Sequence, residues 1–138
     1  MHFNGEFVEC KLLGLLTDED LLALAREVEK LESEAPMTPH RITDMTEVTA
    51  VNCQFDGMER MVRLRRAANL KNPIRSAIIA TQTIQYGFAR MFQTLNDNPR
   101  ITINLFQDET TALAWLRAAP AGEDAPNHFP PPPLRAAE

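Results

Sequence analysis

The chain has 138 residues, 44% of them hydrophobic and 24% charged, with a net charge of −5. This length and balance fit one globular domain with its own core, and the two cysteines, Cys10 and Cys53, are too few for a disulfide scaffold, so both are expected as free thiols. No run reaches the roughly 18 apolar residues that span a bilayer, and the opening MHFNGEFVECK lacks the basic region and apolar stretch of a secretory signal, which predicts a soluble, cytoplasmic protein.

After a turn at Asn4-Gly5, Phe7 to Leu16 alternates. Val8, Cys10 and Leu12 lie on one face and Phe7, Glu9 and Lys11 on the other, the period of a strand with unequal faces. Thr17-Asp18-Glu19-Asp20 has the form of a capping box, in which the Thr17 hydroxyl and the Asp20 carboxylate serve the free amides of a helix start. Leu21, Leu24, Val28 and Leu31 then form the buried stripe of a first helix, with Glu19, Glu27, Glu29 and Lys30 facing outward and Pro36 and Pro39 ending it. His40 to Met45 reads as a short strand with Ile42 and Met45 as its apolar positions. TEVTAVNCQ reads as the connection into a second helix whose apolar side is Phe55, Met58, Met61, Val62 and Ala68. Ser76 to Thr81 is a continuous small apolar run, as a strand covered on both faces should be, and it is placed centrally in the sheet. Tyr86 to Leu95 is expected as a third helix with Phe88, Met91, Phe92 and Leu95 inside, and Asn96-Asp97-Asn98-Pro99 stops it. Ile101 to Phe106 is a strand that passes within three residues into a last helix, TTALAWL.

Strands that alternate with helices pair by crossover connections, so the fold class is α/β over residues 1–118. Residues 119–138 form a proline-rich tail holding Pro120, Pro126 and Pro130 to Pro133, six of the ten prolines. Its Pro130-x-x-Pro133-x-Arg135 pattern matches a proline-rich docking ligand, against the simpler readings of a passive extension or a strap on a neighbouring subunit.

Charge is segregated along the chain. Residues 1–59 hold 13 acids and 4 bases, residues 60–100 hold 1 and 8, and residues 101–138 hold 5 and 2. The centre of the basic third is Arg60, Arg63, Arg65 and Arg66 on the second helix, followed by Lys71 and Arg75. These arginines could meet phosphate groups, an acidic partner or an anionic membrane surface; the simpler reading has them solvated or facing the acidic first helix of the same or a neighbouring subunit. The acidic total charge and the lack of aromatics among the arginines argue against nucleic acid.

Open α/β sheets bind ligands beyond the carboxyl ends of their strands, which here means Thr46 to Gln54, Thr81 to Tyr86 and Gln107 to Thr111. Thr46, Thr49, Asn52, Gln54, Thr81 and Gln82 offer hydroxyls and amides that can fix a ligand or partner but supply no acid or base tuned near neutrality, so binding is expected rather than turnover. Thr81, Asp108 and Thr110 read equally well as helix caps. Cys53, at or just before the second helix, would gain thiolate character from the helix dipole, yet a cysteine enzyme also needs a base, and His40 is the single histidine inside the domain. An inert thiol is the plainer reading. No HExxH, paired CxxC or glycine-rich phosphate loop is present, so neither a metal nor a cofactor is expected. Met58, Met61 and Met91 read as packed core, with an adaptable apolar pocket as the other use of them.

Three segments in order, Gly14-x-Leu16-Thr17-x-Glu19-Asp20, Thr43-Asp44-Met45-Thr46-Glu47-Val48 and Phe106-x-x-x-x-x-Ala112-Leu113-x-Trp115-Leu116, resemble the SpoIIAA-like proteins of the STAS superfamily over roughly Phe7 to Ala118. The resemblance implies a mixed, mostly parallel sheet of four to five strands, an antiparallel strand near the N-terminus and four helices. It implies a regulatory or protein-interaction module, while a related group of similar architecture holds lipids. Anti-anti-sigma members carry Asp-Ser-Ser-Gly, with the second serine phosphorylated by a partner kinase, where this chain has Asn52, Cys53, Gln54 and Phe55. Gln54 has no hydroxyl, which leaves Thr46 and Thr49 for any different kinase. Two readings follow: a non-enzymatic interaction module whose partner, a protein or a second copy, meets Thr46 to Arg66, or a membrane-surface carrier of a lipid-like ligand.

Overall fold

The computed structural model describes residues 2–66, 70–96 and 98–118, without the side chains of Phe55, Val62, Arg65 and Arg66. The elements run β1 (His2–Phe3), β2 (Phe7–Thr17), α1 (Asp18–Glu34), β3 (His40–Asn52), α2 (Phe55–Arg66), β4 (Ile74–Ile79), α3 (Thr83–Leu95), β5 (Ile101–Phe106) and α4 (Glu109–Arg117). The proline-rich tail and Ala68 lie outside the described residues.

The five strands lie in sequence order, with β1 antiparallel to β2 and every later pair parallel. This is the mixed, mostly parallel sheet with four helices that the motifs led us to expect. Right-handed crossovers between neighbouring parallel strands in sequence order put their helices on one face. Accordingly Leu21 and Ala25 of α1, Met58 and Met61 of α2 and Tyr86 and Ala89 of α3 share one core with Met45, Val48, Ile74 and Ile78. After β5 the chain returns on the other face, where Ala112, Trp115 and Leu116 of α4 cover Phe7, Ile42, Ala77 and Ile79. All six residues of β4 are buried, as a strand covered on both faces requires.

Local chemistry sets the boundaries. The Asn4 carboxamide oxygen accepts from the backbone amides of Glu6 (2.8 Å) and Phe7 (2.7 Å), closing the turn between β1 and β2. Thr17 and Asp20 form the expected capping box: the Asp20 amide donates to the Thr17 hydroxyl at 3.3 Å and the Thr17 amide donates to the Asp20 carboxylate at 2.9 Å. Asp108 caps α4 by accepting from the Thr111 amide at 2.8 Å.

Four expectations need correction. The third strand does not stop at Met45 but continues through TEVTAVN to Asn52, so Thr46 and Thr49 are strand residues. The pairing with β2 explains why the alternation hides this. Between Lys11 and Leu13 of β2 the partner strand advances from Asp44 to Glu47, and between Gly14 and Leu15 it advances from Val48 to Ala50, so β3 carries one extra residue at each irregularity. Each such bulge reverses the side on which the following residues fall. Gly14 accommodates the second irregularity with φ +64, a region that side-chain-bearing residues seldom adopt. The other boundary shifts are smaller: β4 runs Ile74–Ile79 rather than from Ser76 to Thr81, and α3 begins at Thr83 rather than Tyr86. Met91, expected inside, is 45% exposed; Gln85, Tyr86 and Ala89 form the buried side of α3, with Phe88, Phe92 and Leu95 half-buried.

Two members of the basic third are internal fixtures. The Lys71 ammonium donates to the Ser33 and Ala35 carbonyls at the end of α1, where a cation meets the negative end of the helix dipole. Arg75 is 2% exposed; its guanidinium donates to the Trp115 carbonyl at 2.7 Å and lies 4.9 Å from the Trp115 ring centre. A second buried cation, Arg41, stands 3.9 Å from the buried Glu32 carboxylate of α1.

Candidate functional site

β4 pairs with β3 only from Arg41 to Asp44. Beyond Asp44 the β2–β3 pair projects past the rest of the sheet, and among the described residues no strand pairs with the backbone of β3 on its β4 side. The Asp44 carboxylate starts the departure by accepting from the Thr46 amide (2.8 Å) and hydroxyl (2.6 Å). One residue of α3 then takes the place of the missing strand. Gln85, 1% exposed, donates from its amide nitrogen to the carbonyls of Thr46 (3.1 Å) and Val48 (2.9 Å), while its carboxamide oxygen accepts from the amides of Thr81 (2.9 Å) and Gln82 (3.0 Å). This clamp holds the start of α3 against the projecting stretch of β3.

Between them lies an open apolar groove of about 400 Å³ lined by Val51, Cys53, Met58, Ile84, Gly87, Phe88 and Met91. Ile84 is 46% exposed. Among the residues singled out from sequence, Cys53 lines this groove, Asn52 and Gln54 are its exposed neighbours in the chain, and Gln82 is the exposed N-cap of α3 two residues before Ile84. Thr81 is exposed, with its amide held by Gln85. Thr46 is tied to Asp44 and Gln85 within the sheet, and Thr49 is the exposed extra residue of the second bulge. Arg60 and Arg63 are exposed on α2. Sequence reasoning missed Val51, Ile84, Gly87 and Phe88 as site residues. The signal that could have found the α3 residues is Ile84, Phe88 and Met91 at i, i+4 and i+7, a stripe distinct from the buried Gln85, Tyr86 and Ala89. The methionines divide: Met58 is buried and forms the groove's floor, Met61 belongs to the core, and Met91 is on the rim.

The N-terminus of α2 is already occupied by a carboxylate of the same chain. Asp18, at the start of α1, accepts from the Gln54 amide at 3.0 Å. The approach depends on Gly57, because a Cβ there would overlap the Asp18 carboxylate. Gly57→Ala is therefore expected to destabilise the parent protein and to cost far less in an Asp18→Ala variant, where the carboxylate is gone and the Cβ of residue 18, 3.0 Å from the new one, is set against a helix-propensity gain of about 1 kcal/mol. Urea titration of the four proteins reads the difference between the two backgrounds, and equal effects in both would exclude the contact.

The same carboxylates disarm Cys53. Its thiol donates to the Leu16 carbonyl at 3.5 Å, and its pKa is pushed up to about 11, first by burial and then by the charges of Asp18 and Asp20. The dipole argument for an activated thiolate is overturned, because the anion position at the helix start is filled. With Cys10 replaced by serine, Cys53 is expected to react with iodoacetamide at pH 7 more slowly than free cysteine, as followed by mass spectrometry. A rate above that of free cysteine would contradict this environment. His40 cannot assist: it opens β3 and Cys53 follows the far end, roughly 35–40 Å away at the usual strand rise, with His40 Nδ1 accepting from the Arg75 amide at 2.9 Å.

Within the core, a cavity of about 50 Å³ lies between α1, α2, α3 and the sheet, lined mainly by apolar residues such as Leu24, Val28, Met61 and Phe92. Among the described residues no cluster of His, Cys, Asp or Glu could hold a metal ion, and no helix is long and apolar enough to cross a membrane.

No protein-family model matches the chain, and no curated protein does. A solved structure is similar: an uncharacterized protein of the DUF3478 family with a SpoIIAA-like fold, from Shewanella loihica PV-4. The likeness covers 77% of this chain and 80% of that one, with a TM-score of 0.51 and 23% sequence identity. The fold of this chain is SpoIIAA-like, as the three sequence motifs led us to expect.

Proposed function

We propose that this chain, built on a SpoIIAA-like fold, is a non-catalytic interaction module that holds a partner protein in the groove between the end of β3, α2 and α3. The observation that carries the reading is the groove itself, an apolar cleft with Ile84 and Met91 open to solvent and the amide side chains of Gln54 and Gln82 close by in sequence. Apolar centres with polar margins are the anatomy of recognition surfaces. The surrounding chemistry supports binding over turnover, since the thiol in the groove is held protonated and the two described histidines, His2 and His40, both lie toward the opposite end of the sheet. Gln54 lacks the hydroxyl that the anti-anti-sigma pattern phosphorylates, and its amide already serves Asp18. Recognition here accordingly runs without that switch. A core cavity of about 50 Å³ has room for a few waters at roughly 10–15 Å³ each, so an acyl chain of the lipid-carrier reading would have to lie in the open groove itself.

The test is site-specific photocrosslinking in the host cell, with benzoylphenylalanine placed at Ile84, at Met91 and, as a control, at Thr110 on α4. One and the same polypeptide is expected as an adduct at the first two positions and absent at the third. No adduct at either groove position, or the same adducts at all three, would sink the proposal.

A further inference from the structure

Independently of the groove, we infer that a second copy of this chain pairs with the outer edge of β2, joining the two sheets into one across a two-fold axis at Gly14. The first argument is the backbone. β1 pairs with β2 only at Val8 and Glu9, and β3 lies on the other side, so among the described residues no strand pairs with the outer edge of β2 from Lys11 to Thr17. The amides and carbonyls of that stretch that turn away from β3 form a template for one more extended segment. Proteins blunt such edges with proline or with repeated charge, yet KLLGLLT has no proline and a single lysine. Leu16 belongs to the core under α1, α2 and α3, and Leu12 packs against it, so strand alternation turns Leu13 and Leu15 to the opposite face. There they stand outside the core that α4 covers. At 61% and 53% exposure they are the two most exposed large apolar side chains among the described residues.

The second argument is that this edge complements itself. A two-fold at Gly14 sets Lys11 to Thr17 antiparallel to their own copy, with Lys11 opposite Thr17, Leu12 opposite Leu16, Leu13 opposite Leu15 and Gly14 opposite itself. Opposed residues then share a face, and the exposed leucines meet as two cross-strand Leu13–Leu15 pairs. Glycine at the axis lets the two backbones approach closely, and nothing stands within 4 Å of where its Cβ would be. Charge points the same way. Each Lys11 lies opposite a Thr17 whose hydroxyl donates to the exposed Asp20 carboxylate at 2.9 Å, so a cation of each copy faces a carboxylate of the other. The Lys11–Glu47 pair within each chain adds no net charge to the patch. Two chains of net charge −5 can therefore meet there without setting like charges directly opposite.

The experiment is sedimentation equilibrium of the full chain over a range of concentrations, with hydrogen exchange read at the amides of Lys11 to Thr17. The mass is expected to rise to twice the 15.5 kDa of one chain, and exchange to slow with it at alternate amides, those turned away from β3. Leu13→Lys combined with Leu15→Lys, and Leu13→Glu combined with Leu15→Glu, are each expected to weaken the dimer at least about tenfold. Mixing the two variants is expected to restore a one-to-one pair, because the axis sets the lysines of one against the glutamates of the other. Both positions are exposed, so the variants should fold; unchanged circular dichroism and Trp115 fluorescence check this, and the restored pair shows it directly. A single-chain mass with fast exchange along the edge would overturn the inference. A single-chain mass with slow exchange there would overturn it in favour of a segment of the same chain covering the edge. A dimer that neither charged variant weakens, or one abolished by Ile84→Ser combined with Met91→Ser, would assign self-association to another surface. Two variants that stay monomeric when mixed would likewise exclude the two-fold pairing.

Discussion

Gln85→Ala is expected to lower the stability of the domain by about 3–5 kcal/mol, a large part of the 5–15 kcal/mol typical of a natural domain. The substitution strips partners from the Thr46 and Val48 carbonyls and from the Thr81 and Gln82 amides. Backbone groups at a buried position each cost about 1–3 kcal/mol when left unmade, and no strand of the sheet stands ready to replace them. Urea titration followed by circular dichroism measures the loss, and faster amide exchange at Thr81 and Gln82 locates it. A change below about 1 kcal/mol would show that the clamp contributes little. Gln85→Glu separates the two halves of the side chain. Its carboxylate can still accept from Thr81 and Gln82, but it turns an oxygen toward two carbonyl oxygens, which repel the ionised form. The folded-state pKa of that glutamate then lies above its unfolded value of about 4.3. What stability the variant has is fully present below the unfolded pKa and is lost as pH rises through the folded one, whereas the parent has no such loss from this position. A variant that grows more stable from mild acid to neutrality would contradict the geometry.

Arg75→Ala is expected to cost a similar 3–5 kcal/mol, because it empties a fully enclosed position and leaves the Trp115 carbonyl without its donor. Arg75→Met should recover most of this and remain within about 2 kcal/mol of the parent, since an apolar side chain of similar length refills the space beside the Trp115 ring and no buried charge needs a partner. The bond from the Arg75 amide to His40 is made by the backbone and survives in both variants. The difference between them therefore isolates packing from charge. Equal destabilisation by alanine and methionine in urea titration would assign the position's contribution to the guanidinium alone.

Much of the fold is legible in the sequence because its signals are local. The Thr17–Asp20 box, the Leu21-to-Leu31 stripe and the Ile101–Phe106 strand with its Asp108 cap each depend on residues within one or two turns of each other. The second half of β3 was not legible, although TEVTAVN is rich in β-branched residues. Two bulges shift the inside–outside alternation, and pairing on one side only leaves the stretch half polar, so it reads as a connection. The candidate site was legible in part. Position beyond the strand ends led to Asn52, Cys53, Gln54 and Gln82, but hydroxyl and amide content drew attention to Thr46, whose groups are spent within the fold, and away from Ile84 and Phe88.

What the amino-acid order determined by itself is the alternation of strands and helices, their caps, and a site region short of proton-transfer groups. Those features follow from the periodicity of neighbouring side chains and from which residue types are present. Only the tertiary structure decided that Arg75 is a core residue rather than part of a basic surface, that Asp18 fills the start of α2, and that Gln85 stands in for a strand. In each case the deciding partner lies some 35 to 40 residues away, at Trp115, Gln54, Thr46 and Val48. Burial and charge pairing depend on which distant surfaces meet, and periodicity carries no record of that meeting.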